Sequence, residues 1–215
     1  MAAPELPLTR DRIVATAEDV LRRFGPEKAT VVDVARALGV SHAAVYRHVK
    51  TKAELRGLVV QRWVDEVMPP IRALVARPGP APKRLRQLFD TLIALKRRKA
   101  AADPELFTAY RSLAAETQSV AAAHVDELVR LGALIIRSGI EEGTFRHVDP
   151  VVASQVILFA TSRFHHPAHA LEWADPKLDK IYDDVWRMLM EGLSVQKNSR
   201  VAKGKRRLVS NRPKF

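Results

Sequence analysis

Residues 30–55 read TVVDVARALGVSHAAVYRHVKTKAEL, and this stretch decides the fold. Thr30 followed by Asp33 forms a helix-opening cap, and Val31, Val34, Ala35 and Leu38 continue at helical spacing. Gly39 suits the left-handed position just past a helix end, and Ser41 caps a short third helix over 42–48. Thr51 with Glu54 predicts a full capping box for a fourth, long helix. Two short helices across a glycine turn make a helix-turn-helix, a unit that can set one helix in a DNA groove.

Three physical demands on such a unit are met. The helices must cross closely: Ala35 is small at the crossing and Gly39 allows the sharp turn. They need a shared core, which Val34, Leu38, Val40, Val45 and Leu55 supply. The third helix must present groups to DNA, and His42, Ala43, Ala44, Tyr46, Arg47 and His48 lie on its outer face or at its end. The alanines would let the helix sit deep and touch a thymine methyl. Arg47 suits a guanine edge or a phosphate, and Tyr46, His48 and Lys52 suit phosphates. The start of the fourth helix adds backbone N–H groups fit for a phosphate. The bland alternative makes Tyr46 a half-buried packing residue and Arg47 a solvated charge.

Outward from this unit the chain reads as helical throughout, with no sustained alternating pattern and no Asn-Gly or Asp-Gly turn. Ile13, Val14, Ala17, Val20, Leu21 and Phe24 mark a first helix stopped by Gly25-Pro26. The fourth helix carries Leu55, Leu58, Val59, Trp63 and Val67, then meets Pro69-Pro70, where it is expected to kink or break. After a Pro-rich joint at 78–82, Leu85, Leu88, Phe89, Leu92 and Ile93 form an apolar stripe. Asp103-Pro104, Asp149-Pro150 and Asp175-Pro176 predict helix starts for 104–115, 150–165 and 176–193, with another helix over 117–141. The expectation is an all-α chain of about nine helices. A three-helix DNA-binding module would occupy 1–68, a helical ligand-binding and dimerisation bundle 69–196, and a basic disordered tail 197–215.

Composition narrows the classes. The chain has 215 residues, 47 % hydrophobic, and no cysteine, so disulfides, thiolate metal sites and cysteine nucleophiles are excluded. No apolar run is long enough to span a bilayer and no signal peptide is evident, which leads to an expectation of a cytoplasmic, nucleoid-associated protein. Of the net charge of +12, the last 19 residues carry +8. DNA affinity in the nearly neutral body must then come from a few placed charges. No nucleophile–base pair, metal-ligand spacing or phosphate-cradling Gly loop is present, so an enzyme is not expected and no cofactor is implied.

The segment TVVDVARALGVSHAAVYRHVKTKAEL resembles the DNA-binding region of the TetR family of bacterial transcription regulators, with the likeness extending over about 9–68. It rests on Thr30, Val34-Ala35, Leu38-Gly39-Val40-Ser41, Tyr46-Arg47-His48, Lys52 and Leu55. By that resemblance Thr30, Ser41, Tyr46, His48 and Lys52 would hold phosphates, and His42, Ala43 and Arg47 would face bases. The chain departs from the pattern at Val49, where the family usually has Phe. EEGTFRHVDPVVASQVILFATSRF, residues 141–164, is similar to the family more weakly. The resemblance implies nine or more helices, a homodimer through the last long helices, and a ligand cavity in the bundle.

One short helix reads too few base pairs to find a genomic site, which independently favours a two-fold pair on a pseudo-palindromic operator. Val156, Ile157, Trp186, Met190 and Leu193 are the candidate interface residues, although a well-filled core is the alternative. Phe89, Ile93, Phe107, Tyr110, Arg111, His124 and Phe159 are the candidate lining of a cavity for a small apolar or aromatic effector. His165, His166 and His169 lack the carboxylate or cysteine partners of a metal site, so no metal is expected. Lys96-Arg97-Arg98-Lys99 reads as a solvated face near a helix end. The expected function is a homodimeric, sequence-specific repressor released from DNA by a small molecule. The alternative is a ligand-independent regulator or nucleoid-associated protein controlled by abundance or a protein partner.

Overall fold

A computed structural model describes residues 7–195, and the basic tail assigned to 197–215 lies outside the described residues. Ten α-helices and one 3₁₀ turn account for the regular structure there, apart from an isolated bridge between Phe145 and Ser194. The helices are α1 (Arg10–Lys28), α2 (Val31–Leu38), α3 (His42–His48), α4 (Lys52–Val75), α5 (Ala81–Ala102), α6 (Pro104–Glu116), α7 (Gln118–Glu141), α8 (Pro150–Ala160), α9 (Ser162–His165) and α10 (Leu178–Leu193). The 3₁₀ turn covers Pro167–Glu172.

The head is built as its caps dictate. Thr9 caps α1 by accepting from the Arg12 N–H, and Gly25, at φ 74°, kinks that helix before its last turn. Thr30 and Asp33 form a reciprocal capping box on α2, and Gly39 closes the helix in the left-handed region at φ 70°. Ser41 Oγ accepts from the Ala44 N–H at 3.2 Å to start α3. Thr51 Oγ1 accepts from the Glu54 N–H at 3.0 Å, but the Glu54 carboxylate turns to the Lys50 N–H, one residue before the cap, so the expected box is only half formed. The core between the helices holds Ile13, Val20, Val34, Val45 and Leu55, and Val49 is fully buried in it.

Three sequence expectations need correction. α4 runs through Pro69-Pro70 as one helix. The amide donors these prolines lack would have bonded the carbonyls of Asp65 and Glu66. All four residues lie on the exposed face, where solvent can reach those carbonyls, while Val67, Met68, Ile71 and Leu74 hold the opposite face in the core. The helix expected over 150–165 is divided at Thr161, whose buried hydroxyl donates to the Ile157 carbonyl at 2.8 Å and competes with the ladder. The last helix starts at Leu178, not 176, because Asp175 Oδ1 takes the Lys177 N–H in a turn before it. At the other two Asp-Pro pairs the aspartate caps directly: Asp103 accepts from the Leu106 N–H, and Asp149 from Val151 and Val152.

The bundle packs at two close approaches. A Cβ on Gly132 of α7 would stand 2.3 Å from Ser154 Oγ of α8, and one on Gly139 would stand 2.2 Å from the Phe145 ring. Phe145 also anchors the return of the chain: Arg146 N–H donates to the Leu193 carbonyl and Val195 N–H to that of Thr144. The head rests on the bundle through α1 and α6, where the Arg22 guanidinium meets Asp103 Oδ2 at 2.7 Å, and through α4, which belongs to both.

Candidate nucleic-acid interface and buried cavity

α3 presents a narrow polar face. His42, Ala43, Tyr46 and Arg47 are exposed and His48 is half-buried. Ala44 is not on this face; it is buried, since it lies one helical step round toward Val45 and the core. Beside α3, Lys50 and Lys52 flank the capped start of α4, and Thr30 and Ser41 stand exposed at the starts of α2 and α3. The Thr30 hydroxyl is already engaged, accepting from the Asp33 N–H and donating to the Asp33 carboxylate, whose pKa is held down chiefly by that bond. The ammonium and guanidinium groups of Lys50, Lys52 and Arg47 have no ion pair among the described residues. Cations on the bundle contrast with them: Arg72 pairs with Glu127, Arg84 with Glu142, Arg86 with Asp183 and Arg97 with Asp179. The head therefore holds unneutralised positive charge where an anionic polymer can reach it.

A cavity of about 560 Å³ opens between α4, α5, α6, α7, α8, α9 and the start of the 3₁₀ turn. Of the candidate lining residues, Tyr110, Arg111, His124 and Phe159 lie in its wall, together with Val125 and Leu128. Phe89, Ile93 and Phe107 do not. Phe89 stacks at a tilt on Trp186 at 5.5 Å, Phe107 is held between Trp63 and Trp173, and Ile93 is buried in the core. All three are buried against neighbouring elements, so they are core.

The lining contains residues that sequence reasoning missed. Lys96 is only 4 % exposed, and its ammonium stands 5.8 Å from the Trp63 ring centroid with no hydrogen bond or ion pair among the described residues. Burial lowers its pKa to about 8. The solvated face assigned to Lys96-Arg97-Arg98-Lys99 is thus corrected: Lys96 sits four residues past Leu92 and extends the apolar stripe inward, Arg97 pairs with Asp179, and Lys99 pairs with Glu66. That spacing was the signal in the sequence. His124 is 7 % exposed and neither ring nitrogen finds a partner among the described residues; burial, then the Lys96 charge, draws its pKa down to about 3. His165 is buried and depressed for the same reasons, its Nε2 lying 3.3 Å from the Leu158 carbonyl. His166 also lines the space, with its pKa lowered by burial. Tyr110 stacks on Trp63 at 4.1 Å and burial raises its hydroxyl pKa. Among the described residues, no aspartate or glutamate lines the cavity.

The candidate dimer residues separate into two groups. Val156 is exposed and Met190 half-buried, whereas Ile157, Trp186 and Leu193 are buried within the protomer. Trp186 is interior because Tyr182, Trp186 and Leu193 share the α10 face that meets Phe89 and the Arg86 guanidinium. The opposite faces are apolar and open: Val152, Val156 and Phe159 (61 % exposed) on α8, with Ile181 and Met188 (71 % exposed) on α10. His166 and His169 stand edge to face, and His169 Nδ1 lies 3.0 Å from Glu172 Oε1; the described residues hold no group of three side chains fit for a metal ion. No described helix is long and apolar enough to cross a membrane.

Comparison with known proteins finds two separate matches along the chain. Residues 13–58 match the bacterial regulatory proteins of the tetR family, and residues 81–186 match the tetracyclin repressor-like C-terminal domain. Nucleoid occlusion factor SlmA from two strains of Aliivibrio fischeri is 29 % identical over 99 residues, 46 % of this chain and 50 % of that protein. The chain thus spans about half the length of the curated relatives it matches. Among solved structures, a TetR transcription regulator from Haloarcula marismortui superposes with a TM-score of 0.68 at 19 % identity, covering 86 % of this chain and 98 % of that one. SmeT, the repressor of the Stenotrophomonas maltophilia multidrug efflux pump SmeDEF, gives 0.63 at 17 % identity, covering 97 % and 100 %. The fatty acid degradation regulator FadR from Bacillus halodurans gives 0.63 at 19 %, covering 88 % and 96 %. At these identities the structural likeness establishes the fold.

Proposed function

We propose, from the premise that this chain belongs to the tetR family of bacterial regulatory proteins, that it is a sequence-specific DNA-binding transcriptional regulator acting as a homodimeric repressor. The observation that carries this reading is the unpaired positive charge of Arg47, Lys50 and Lys52 around an α3 face whose small Ala43 permits close approach to a groove. Tyr46, His48, Lys52 and Ser41 hold phosphates, and His42, Ala43 and Arg47 meet base edges; Thr30, whose hydroxyl and N–H both donate to Asp33, serves the cap of α2 instead. The open apolar faces of α8 and α10 pair across a two-fold axis, with Val152, Val156, Phe159, Ile181 and Met188 at the centre. The module boundaries are those of 1–68 and 69–196, with α4 continuous across the joint.

The cavity takes a small effector whose binding lowers operator affinity by linkage. α4 supplies the connection: Val60 and Val64 line the cavity, while Leu55 packs in the core of the head. A second reading, a DNA-binding nucleoid protein without an effector, is supported by the likeness to a nucleoid occlusion factor over 99 residues. Selection of bound fragments from the source genome at near-physiological salt tests both. A shared pseudo-palindromic site is expected. Recovery of fragments with no common site would overturn the specific-regulator reading, and a site occupied equally with and without every effector tried would favour the second.

A further inference from the structure

Deepening the effector reading above, on which it rests, we propose that the cavity takes an organic carboxylic acid with an apolar body, its carboxylate held between Lys96 and His124. The bundle itself supplies the contrast that carries this. Its other buried cation, Arg84, is fully engaged: it donates to the carbonyls of Gly79 and Val75, to Ser138 Oγ and to Glu142. Lys96 is more buried still and has only an aromatic ring at 5.8 Å. A buried ammonium without an anion is a costly thing to keep, unless the anion arrives from outside.

The surroundings specify that anion. With no acid in the lining among the described residues, no carboxylate there competes for the ammonium. Arg111, which is half-buried and makes no ion pair among the described residues, adds a second positive charge that excludes cationic ligands. His124 has two unpartnered ring nitrogens, and as a neutral imidazole it offers one N–H donor to a carboxylate oxygen. Val60, Val64, Val125 and Leu158 form an apolar part of the wall that suits a hydrocarbon or aromatic body, and the hydroxyls of Thr108, Ser112 and Ser162 are also in the lining. Of these two cations only Lys96 is buried, Arg111 being half-exposed to solvent that screens it, so the desolvated charge to be matched is one, which favours a carboxylate over a phosphate ester carrying nearly two.

The test uses the full chain and three matched pairs: decanoic, 4-phenylbutanoic and naphthalene-2-acetic acids against their primary amides, by titration calorimetry. At least one acid should bind about tenfold or more tightly than its amide at pH 7. Lys96→Met should reduce that preference to about twofold or less while still binding the amide, which also reports that the variant is folded. A second measurement needs no variant. Because the empty-site Lys96 has a pKa of about 8, acid binding at pH 9 should take up close to one proton, about 0.9, falling to about 0.1 at pH 7. His124, His165 and His166 also face the site, and uptake by any of them would grow as pH falls instead. Acid and amide binding alike, preference surviving Lys96→Met, no uptake at pH 9, or no acid binding at about 1 mM would each overturn the proposal. Operator binding followed on the same samples separates the two readings. DNA binding without acid binding removes only the carboxylate assignment, whereas acid preference without any specific DNA site keeps the assignment and removes the regulator.

Discussion

Lys96→Met should make the empty protein more stable at neutral pH, although it removes a charge from a designed-looking cavity. Burial lowers the Lys96 pKa from 10.5 to about 8, and at about 1.36 kcal/mol per unit the buried charge costs about 3 kcal/mol. The Trp63 ring returns up to about 1 kcal/mol. Methionine has nearly the same length and volume and no charge, so the expected gain is about 2 kcal/mol. For a chain of this size that raises Tm by about 4–8 °C. The sign of the pH dependence is fixed by which state binds more protons. Below pH 8 Lys96 is charged in both states and the penalty is constant. Between pH 8 and 10.5 only the unfolded chain keeps the proton, so wild-type stability rises relative to the variant and the difference should close. Urea unfolding of both proteins at pH 7 and pH 10 measures it, each at the same protein concentration. A variant less stable than wild type at pH 7, or a difference that does not shrink at pH 10, would refute the claim that Lys96 is buried without an anionic partner.

Tyr46→Ala should weaken binding to all DNA sequences similarly, while Arg47→Ala relaxes base preference at one position of each half-site; identical specificity profiles from bound-fragment selection would break that division of roles. Met188→Lys combined with Phe159→Asp should convert a dimer to a monomer in sedimentation without lowering helix content, and a persisting dimer would place the interface elsewhere. Gly139→Ala should destabilise by about 1–3 kcal/mol despite the better helix propensity of alanine, because the added methyl meets the fully buried Phe145 ring; neutral urea midpoints would show that the ring can yield. Arg56→Ala, which removes the brace from α4 to Glu116 and to the Pro26 carbonyl, should leave DNA affinity without ligand within about threefold but shrink the effect of a bound acid on it; unchanged coupling in fluorescence anisotropy would rule this brace out.

The head was legible because each of its demands falls on adjacent residues. Thr30 to Asp33, Gly39 and Ser41 are local rules, and the chain obeys them whatever packs around it. The failures share the opposite character. Pro69-Pro70 reads as a break locally, yet the helix survives because of which face meets water. Ala44 and Ala43 are indistinguishable by type, and only the turn of a seven-residue helix against Val45 separates them. Phe89 and Phe107 were plausible cavity residues because large aromatics suit either a lining or a core, and tertiary partners, Trp186 for one and Trp63 for the other, decided it. Trp186 and Leu193 showed a surplus of apolar surface without showing that the surplus lies on the other side of α10.

Lys96 misled for a more instructive reason. Within a run of four basic residues at 96–99 the composition says solvent, while the spacing from Leu92 says core, and these rules conflict at that one position. Sequences resolve such conflicts in favour of stability unless something else is gained, so a locally inconsistent residue is informative where a consistent one is not. The chain keeps an ammonium beside two unbonded histidine nitrogens, in a space walled on one side by α4. α4 is the same helix whose first turn stands beside α3. A ligand moves an equilibrium only by its differential affinity for the two states, and a desolvated ion pair is among the few interactions large enough to supply that difference from a single contact. The destabilising charge and the helix that reaches the head therefore belong to one arrangement. On the proposed effector reading, the cavity holds its cost in the empty state, and filling it would release that cost next to α4, the helix that lines the cavity and enters the head.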